Sequence, residues 1–146
     1  MALPPKTAAT LDRALVAAAK FFAQPDEQKR REASYQLEKD GTPLDGKRQL
    51  LAFRPLPLPL PDALHKALAP AFNQLDLAAR TLLRGVALGA GLEYGESLGR
   101  FVEDRPYAGT PASLLHVVRY EKGGYARRHV DGSLLTLVYS PGILIE

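Results

Sequence analysis

An α+β fold is predicted for this chain, helices first and strands after, from a change in the period of its apolar residues. Between Thr10 and Gly89 the apolar side chains recur at helical spacing, whereas from Ser113 onward they form short runs bounded by glycine and proline turns. A length of 146 residues with 46% apolar content is enough for one domain with a real core. No internal repeat is visible.

The first helix is expected over residues 10–23. Leu11, Leu15, Ala18 and Phe22 share one face behind Thr10, which serves as its N-cap. Pro25 opens a second helix over 25–34, with Asp26 and Glu27 at the positive end of the dipole. That segment carries almost nothing apolar, so Lys29-Arg30-Arg31 is read as a solvated face. Gly41, Pro43 and Gly46 mark a loop, and Leu50 to Phe53 a short extended or buried segment. The run 54–61 places prolines at 55, 57, 59 and 61. None are three apart, so a rigid linker with packed leucines is favoured over a PxxP ligand.

Pro61 and Asp62 open the longest helix, where Leu64, Leu68, Phe72, Leu75, Ala79, Leu82 and Val86 trace an apolar stripe read as core. Pro70 should kink it near Ala67 to Ala69, unless two helices meet there. Gly89 and Gly91 end it. Residues 92–110 read as an irregular connection with a helical turn over 93–100. Leu114 to Tyr120 is strand-like, Gly123-Gly124 a turn, Leu134 to Tyr139 a buried strand, Pro141-Gly142 a turn, and Ile143 to Ile145 the start of another strand.

Composition narrows the function classes. The formal charge of +3 comes from 19 basic and 16 acidic residues, dense only at Lys29-Arg30-Arg31 and Arg127-Arg128. Neither spot has the stripe of cations and stacking aromatics that nucleic acid requires. With no cysteine, disulfides, thiolate metal sites and Cys nucleophiles are ruled out. No apolar run approaches the roughly 18 residues of a membrane helix, and the N-terminus lacks a secretory pattern. A cytoplasmic location is expected. A plastid transit peptide stays open, since Asp12 is the first acid and Asp26 the next.

The strongest chemical motif is His129-Val130-Asp131. Residues two apart on a strand point to one side, so an imidazole and a carboxylate would face one metal ion together. Two His and one carboxylate around iron(II) is an oxygenase arrangement. A surface turn pair is the rival reading. The other histidines are His65, in the long helix, and His116, ahead of the pair.

The flanking residues resemble a known family. The segments SLLHVVRYEKGG (113–124) and RRHVDGSLLTLVYSPGILIE (127–146) are similar to the isopenicillin N synthase-like branch of the iron(II)/2-oxoglutarate-dependent dioxygenases. That family runs from a strand ending in Tyr, through a turn, to a His-x-Asp pair, a Leu-Leu-Thr-Leu strand and a Gly-Leu-x-Val-like strand. Tyr120, His129, Asp131, Leu134 to Leu137 and Gly142 to Ile145 stand at those positions. Upstream, Phe21-Phe22-Ala23-Gln24-Pro25-Asp26-Glu27-Gln28-Lys29 is similar to the family's Phe-Phe-x-Leu-Pro-x-Glu-x-Lys helix junction.

The resemblance implies N-terminal helices packed on a double-stranded β-helix, or jelly roll. The helical region would be 1–92 and the first part of the barrel 93–146. It further implies iron(II) at His129 and Asp131, 2-oxoglutarate as cosubstrate held in part by Tyr120, and a small organic substrate that is hydroxylated or desaturated. His116 and Val118 share the strand face of Tyr120 and would line the substrate pocket. A core tyrosine is the alternative for Tyr120, and a satisfied or exposed histidine for His116. Complete members also carry a distal His and an Arg-x-Ser motif downstream, and a Pro-Val-Ile-Asp-like strand upstream; neither is in this sequence. The expectation is therefore a middle segment of a larger oxygenase. Its alternative is a noncatalytic oxygenase-like fragment that binds metal weakly or self-associates through open strand edges.

Overall fold

Pro5 sets the first turn of helix α1 (Pro5–Phe22), with Pro4 as its N-cap. Proline lacks only a donor that a first turn leaves unpaired anyway, and its φ is already helical. The helix thus starts ahead of the expected Thr10, which is not a cap. Thr10 lies inside it and donates its hydroxyl to the Lys6 carbonyl at 2.9 Å. The computed structural model describes residues 3–33, 35–37, 48–55, 60–92, 113–124 and 133–140, with only the backbone of 35–37. The expected loop around Gly41 to Gly46, the irregular connection over 93–110 and the strand from Ile143 lie outside them, as do residues 56–59 of the leucine-proline run.

Helix α2 (Asp26–Glu32) forms within the expected 25–34, with Pro25 as its N-cap rather than its first helical residue, and Ala33 ends it in an extended conformation. Strands β1 (Tyr35–Leu37) and β2 (Arg48–Phe53) come next, then α3 (Asp62–Gly89) and β3 (Leu115–Tyr120). Helices and sheet together make the chain α+β. The three strands form one antiparallel sheet in the order β1-β2-β3. Two of them stand between α2 and α3, so β2, expected only as an extended or buried segment, is the central strand.

The core lies between one face of the sheet and the helices. Leu11, Ala18 and Phe21 of α1 meet Leu64, Leu68 and Phe72 of α3, and the sheet adds Leu51, Phe53 and Val117. Each large side chain buried this way contributes about 1.5–3 kcal/mol. The core residues of α1 recur three and four apart, which is why the helix presents a single face to α3.

Helix α3 runs through Pro70 without a break in its assignment, so the two-helix alternative does not apply. Its stripe departs from expectation at the far end. Leu82 and Val86 are exposed, whereas Leu83 and Ala87 are buried. The buried line advances eleven residues from Phe72 to Leu83, three whole turns, while Leu82 and Val86 fall to the other side of it. The end of α3 is as expected: Gly91 takes φ 68°. Its N–H reaches the Leu88 carbonyl and the Leu92 N–H that of Ala87, which closes the helix in a Schellman motif.

Two further expectations are corrected. Lys29, assigned to a solvated face, is 1% exposed. It donates to the Phe22 carbonyl at the end of α1 (3.3 Å) and to Gln49 Oε1 on β2 (3.1 Å), and pairs with Asp26 at 2.8 Å. The long aliphatic stem crosses the apolar junction, and the ammonium neutralises a helix C-terminus. Leu134 to Tyr139, expected as a buried strand, belongs to no ladder among the described residues. Exposure there alternates, with Leu134 61% and Val138 73% exposed. Tyr139 is the anchor: it packs on the core, and its hydroxyl donates to Asp12 at 2.7 Å.

Candidate functional site

The register of β2 against β3 decides which side chains share a face. Arg48 pairs with Tyr120, Leu50 with Val118 and Ala52 with His116. Directly opposed residues in an antiparallel pair project to the same side, so these six occupy one face. Gln49, Leu51, Phe53, Leu115, Val117 and Arg119 occupy the other, which packs on the helices. His116, Val118 and Tyr120 therefore lie together, turned away from the helical core.

This face differs in character from the one beneath it. Tyr120 is 42% exposed, so it is not a core tyrosine. Val118 is half-buried, and Leu50 is buried. Arg48 places its guanidinium carbon 6.0 Å from the centre of the Tyr120 ring, within reach of a cation–π contact. Arg54 follows β2 on the same side by alternation, and its Nε is buried with no hydrogen-bond partner among the described residues. The β2 and β3 positions on this face include no acidic residue.

The opposite face carries the carboxylates. Gln49 receives Lys29 and donates to Glu121 at 3.3 Å, and Arg119 approaches Glu121 at 4.0 Å. Arg119 thus points away from Tyr120, as its alternation predicts. Ser113, just before β3, donates to Asp76 of α3, which also holds Arg80 at 2.8 Å. These contacts tie both ends of β3 to other elements and hold its register.

His116 shows the electrostatic consequence. Its pKa lies below the ordinary value of about 6.5, first because burial disfavours the charged ring and then because Arg48 and Arg54 repel it. The side chain is exposed overall, so burial acts on part of the ring and the solvent screens the rest. The unfolded chain accepts the proton more readily than the fold does. The stabilising contribution is accordingly complete above about pH 6.5 and is lost as pH falls through the depressed folded pKa. His116→Gln should flatten the pH dependence of the urea midpoint in that window. An unchanged slope between wild type and variant would remove this assignment.

His129 and Asp131, the expected metal ligands, lie outside the described residues, as do Arg127 and Arg128. His65 stands apart from the candidate face, on α3, with its ring 5.6 Å from that of Phe53. Among the described residues no three His, Asp or Glu side chains are grouped to hold a metal ion. No helix there is long and apolar enough to cross a membrane.

Arg48 and Arg54 are the residues that the sequence reading passed over. Their signal was present in the alternation Arg48, Leu50, Ala52, Arg54, but only the register joins it to His116 and Tyr120. No protein-family model, curated protein or solved structure matches this chain.

Proposed function

We propose that this chain carries part of an iron(II)/2-oxoglutarate-dependent oxygenase, acting by hydroxylation or desaturation on a small organic molecule. One observation carries the reading: His116, Val118 and Tyr120 share the sheet face turned from the helical core. In a double-stranded β-helix that face would be the barrel interior. The buried Lys29 adds support, since it gives a physical reason for a lysine at the end of the Phe-Phe-x-x-Pro junction.

On this reading His129 and Asp131 hold the metal, and a neutral imidazole with a carboxylate is a donor set that iron(II) accepts. Iron(II) and 2-oxoglutarate supply the oxidising chemistry when bound. The chain itself binds and orients. Tyr120 offers its hydroxyl to a cosubstrate carboxylate, and His116 and Val118 shape the wall on which the substrate rests.

Two measurements test it. Iron(II) affinity should fall in His129→Ala and Asp131→Ala by more than the roughly 10- to 100-fold typical of outer-shell changes. Succinate should form from 2-oxoglutarate with the parent chain and not with either variant. Iron binding that is indifferent to both substitutions, with no succinate, would dispose of the proposal.

A second reading is favoured by residues 133–140, outside any described ladder, with Leu134 and Val138 exposed. Here the chain is a noncatalytic oxygenase-like fragment that self-associates through its strands. Light scattering separates the two. A metal-free monomer speaks against association, and an obligate oligomer without turnover speaks for it.

A further inference from the structure

We propose that the β2–β3 face binds an organic acid lengthwise, with its carboxylate at Arg54 and His116 and its apolar body along Val118 to Tyr120. It rests on the oxygenase reading for the role of this face as the substrate wall, and it names the class of substrate. Binding to that wall needs no metal.

Placement comes first. Ala52 opposes His116, and Arg54 stands two residues further along β2. Arg54 and His116 are therefore diagonal neighbours on one face, about 7–8 Å apart at the backbone. The Arg54 Nε is a buried donor without a hydrogen-bond partner among the described residues. A buried donor left in that state costs free energy, and an incoming oxygen recovers it. A guanidinium takes a carboxylate through two parallel N–H bonds, and an imidazole N–H beside it supplies a third.

Charge sets the sign of the ligand. Arg48, Arg54 and His116 lie on a face whose β2 and β3 positions include no Asp or Glu, and the nearby Glu121 follows the other face. The field over the strands attracts anions. Shape sets the rest. From His116 to Tyr120 is four residues, about 13 Å of extended strand. Along it the surface passes from the Arg54 and His116 cluster to half-buried Val118 and then to the Tyr120 ring, against which the Arg48 guanidinium lies as a cation–π partner. A compact inorganic anion would use one end only. An acid with an aromatic or aliphatic body would use both.

The test is a metal-free titration followed by histidine ring NMR, with 3-phenylpropanoate, 2-oxoglutarate and inorganic phosphate as separate probes. 3-Phenylpropanoate should shift the signals of His116 and Tyr120 and raise the His116 pKa, because a bound anion favours the imidazolium. R54Q, which replaces a charged two-bond clamp by a neutral donor, should bind it at least about tenfold more weakly. H116Q serves as the second variant should R54Q fail to fold. The same titration on the Asp131→Ala chain should be unchanged, so a failed metal site and a failed acid site are told apart. Saturation by 2-oxoglutarate with no response to 3-phenylpropanoate would assign the face to the cosubstrate and overturn the proposal. So would phosphate binding as tightly, or full binding in R54Q and H116Q.

Discussion

Lys29→Met is expected to destabilise the fold by about 2–4 kcal/mol, read as a lower urea midpoint at unchanged slope. Methionine keeps most of the apolar stem and fills a similar volume, so little of the loss comes from a cavity. What disappears is the donor. The Phe22 carbonyl at the end of α1 and Gln49 Oε1 both receive Lys29, and both are enclosed at that junction. An acceptor buried without a partner costs about 1–3 kcal/mol. Asp26 behaves differently, because its side chain is 57% exposed and water replaces the lost cation. Asp26→Asn keeps an acceptor beside Nζ but removes the charge that faces a buried ammonium, so it should cost about 1–3 kcal/mol. If both variants unfold at the wild-type midpoint, Lys29 does not join the helices to the sheet.

The same lysine shows where a sequence stops being legible. The helix junction could be read because its signals are local: Phe21 and Phe22 at core spacing, Pro25 at an N-cap, and Asp26 in a first turn. Burial of Lys29 depends on Gln49, twenty residues later on a strand that local pattern left ambiguous. The apolar run Leu134 to Tyr139 was equally visible, but a ladder also needs a neighbour, and pairing is not local. On α3 the stripe was placed correctly as far as Leu75 and departed at Leu82 and Val86, since a one-residue choice near Leu82 shifts the buried line by 100°. The candidate site divides in the same way. Alternation alone put His116, Val118 and Tyr120 on a common face, whereas Arg48 and Arg54 required the β2–β3 register.

Phe53→Ala should cost about 3–5 kcal/mol, the range for removing a buried aromatic ring. Phe53 is 0% exposed and ends β2, where it meets Phe72 at 6.0 Å and His65 at 5.6 Å, both edge to face. These contacts join the central strand to α3, so the cavity opens between the two layers that form the core. Part of the loss is specific to the ring pair. A double-mutant cycle with Phe72→Leu should return about 0.5–1.5 kcal/mol of coupling, and a cycle near zero would mean that area alone is at work. The ring also matters to the opposite side of the sheet. Phe53 stands between Ala52 and Arg54, and its insertion into the core sends both neighbours outward. Once the ring is gone, β2 loses the constraint that sets Arg54 on the face of His116. Burial and Arg48, the larger causes of the lowered His116 pKa, remain in Phe53→Ala, so the pKa should rise only slightly toward its ordinary value as the repulsion from Arg54 weakens. Phe53→Leu should retain most of both effects, because a smaller apolar anchor still fixes the strand's facing. A His116 titration unmoved in a folded Phe53→Ala protein would show that Arg54 is held by contacts other than the core.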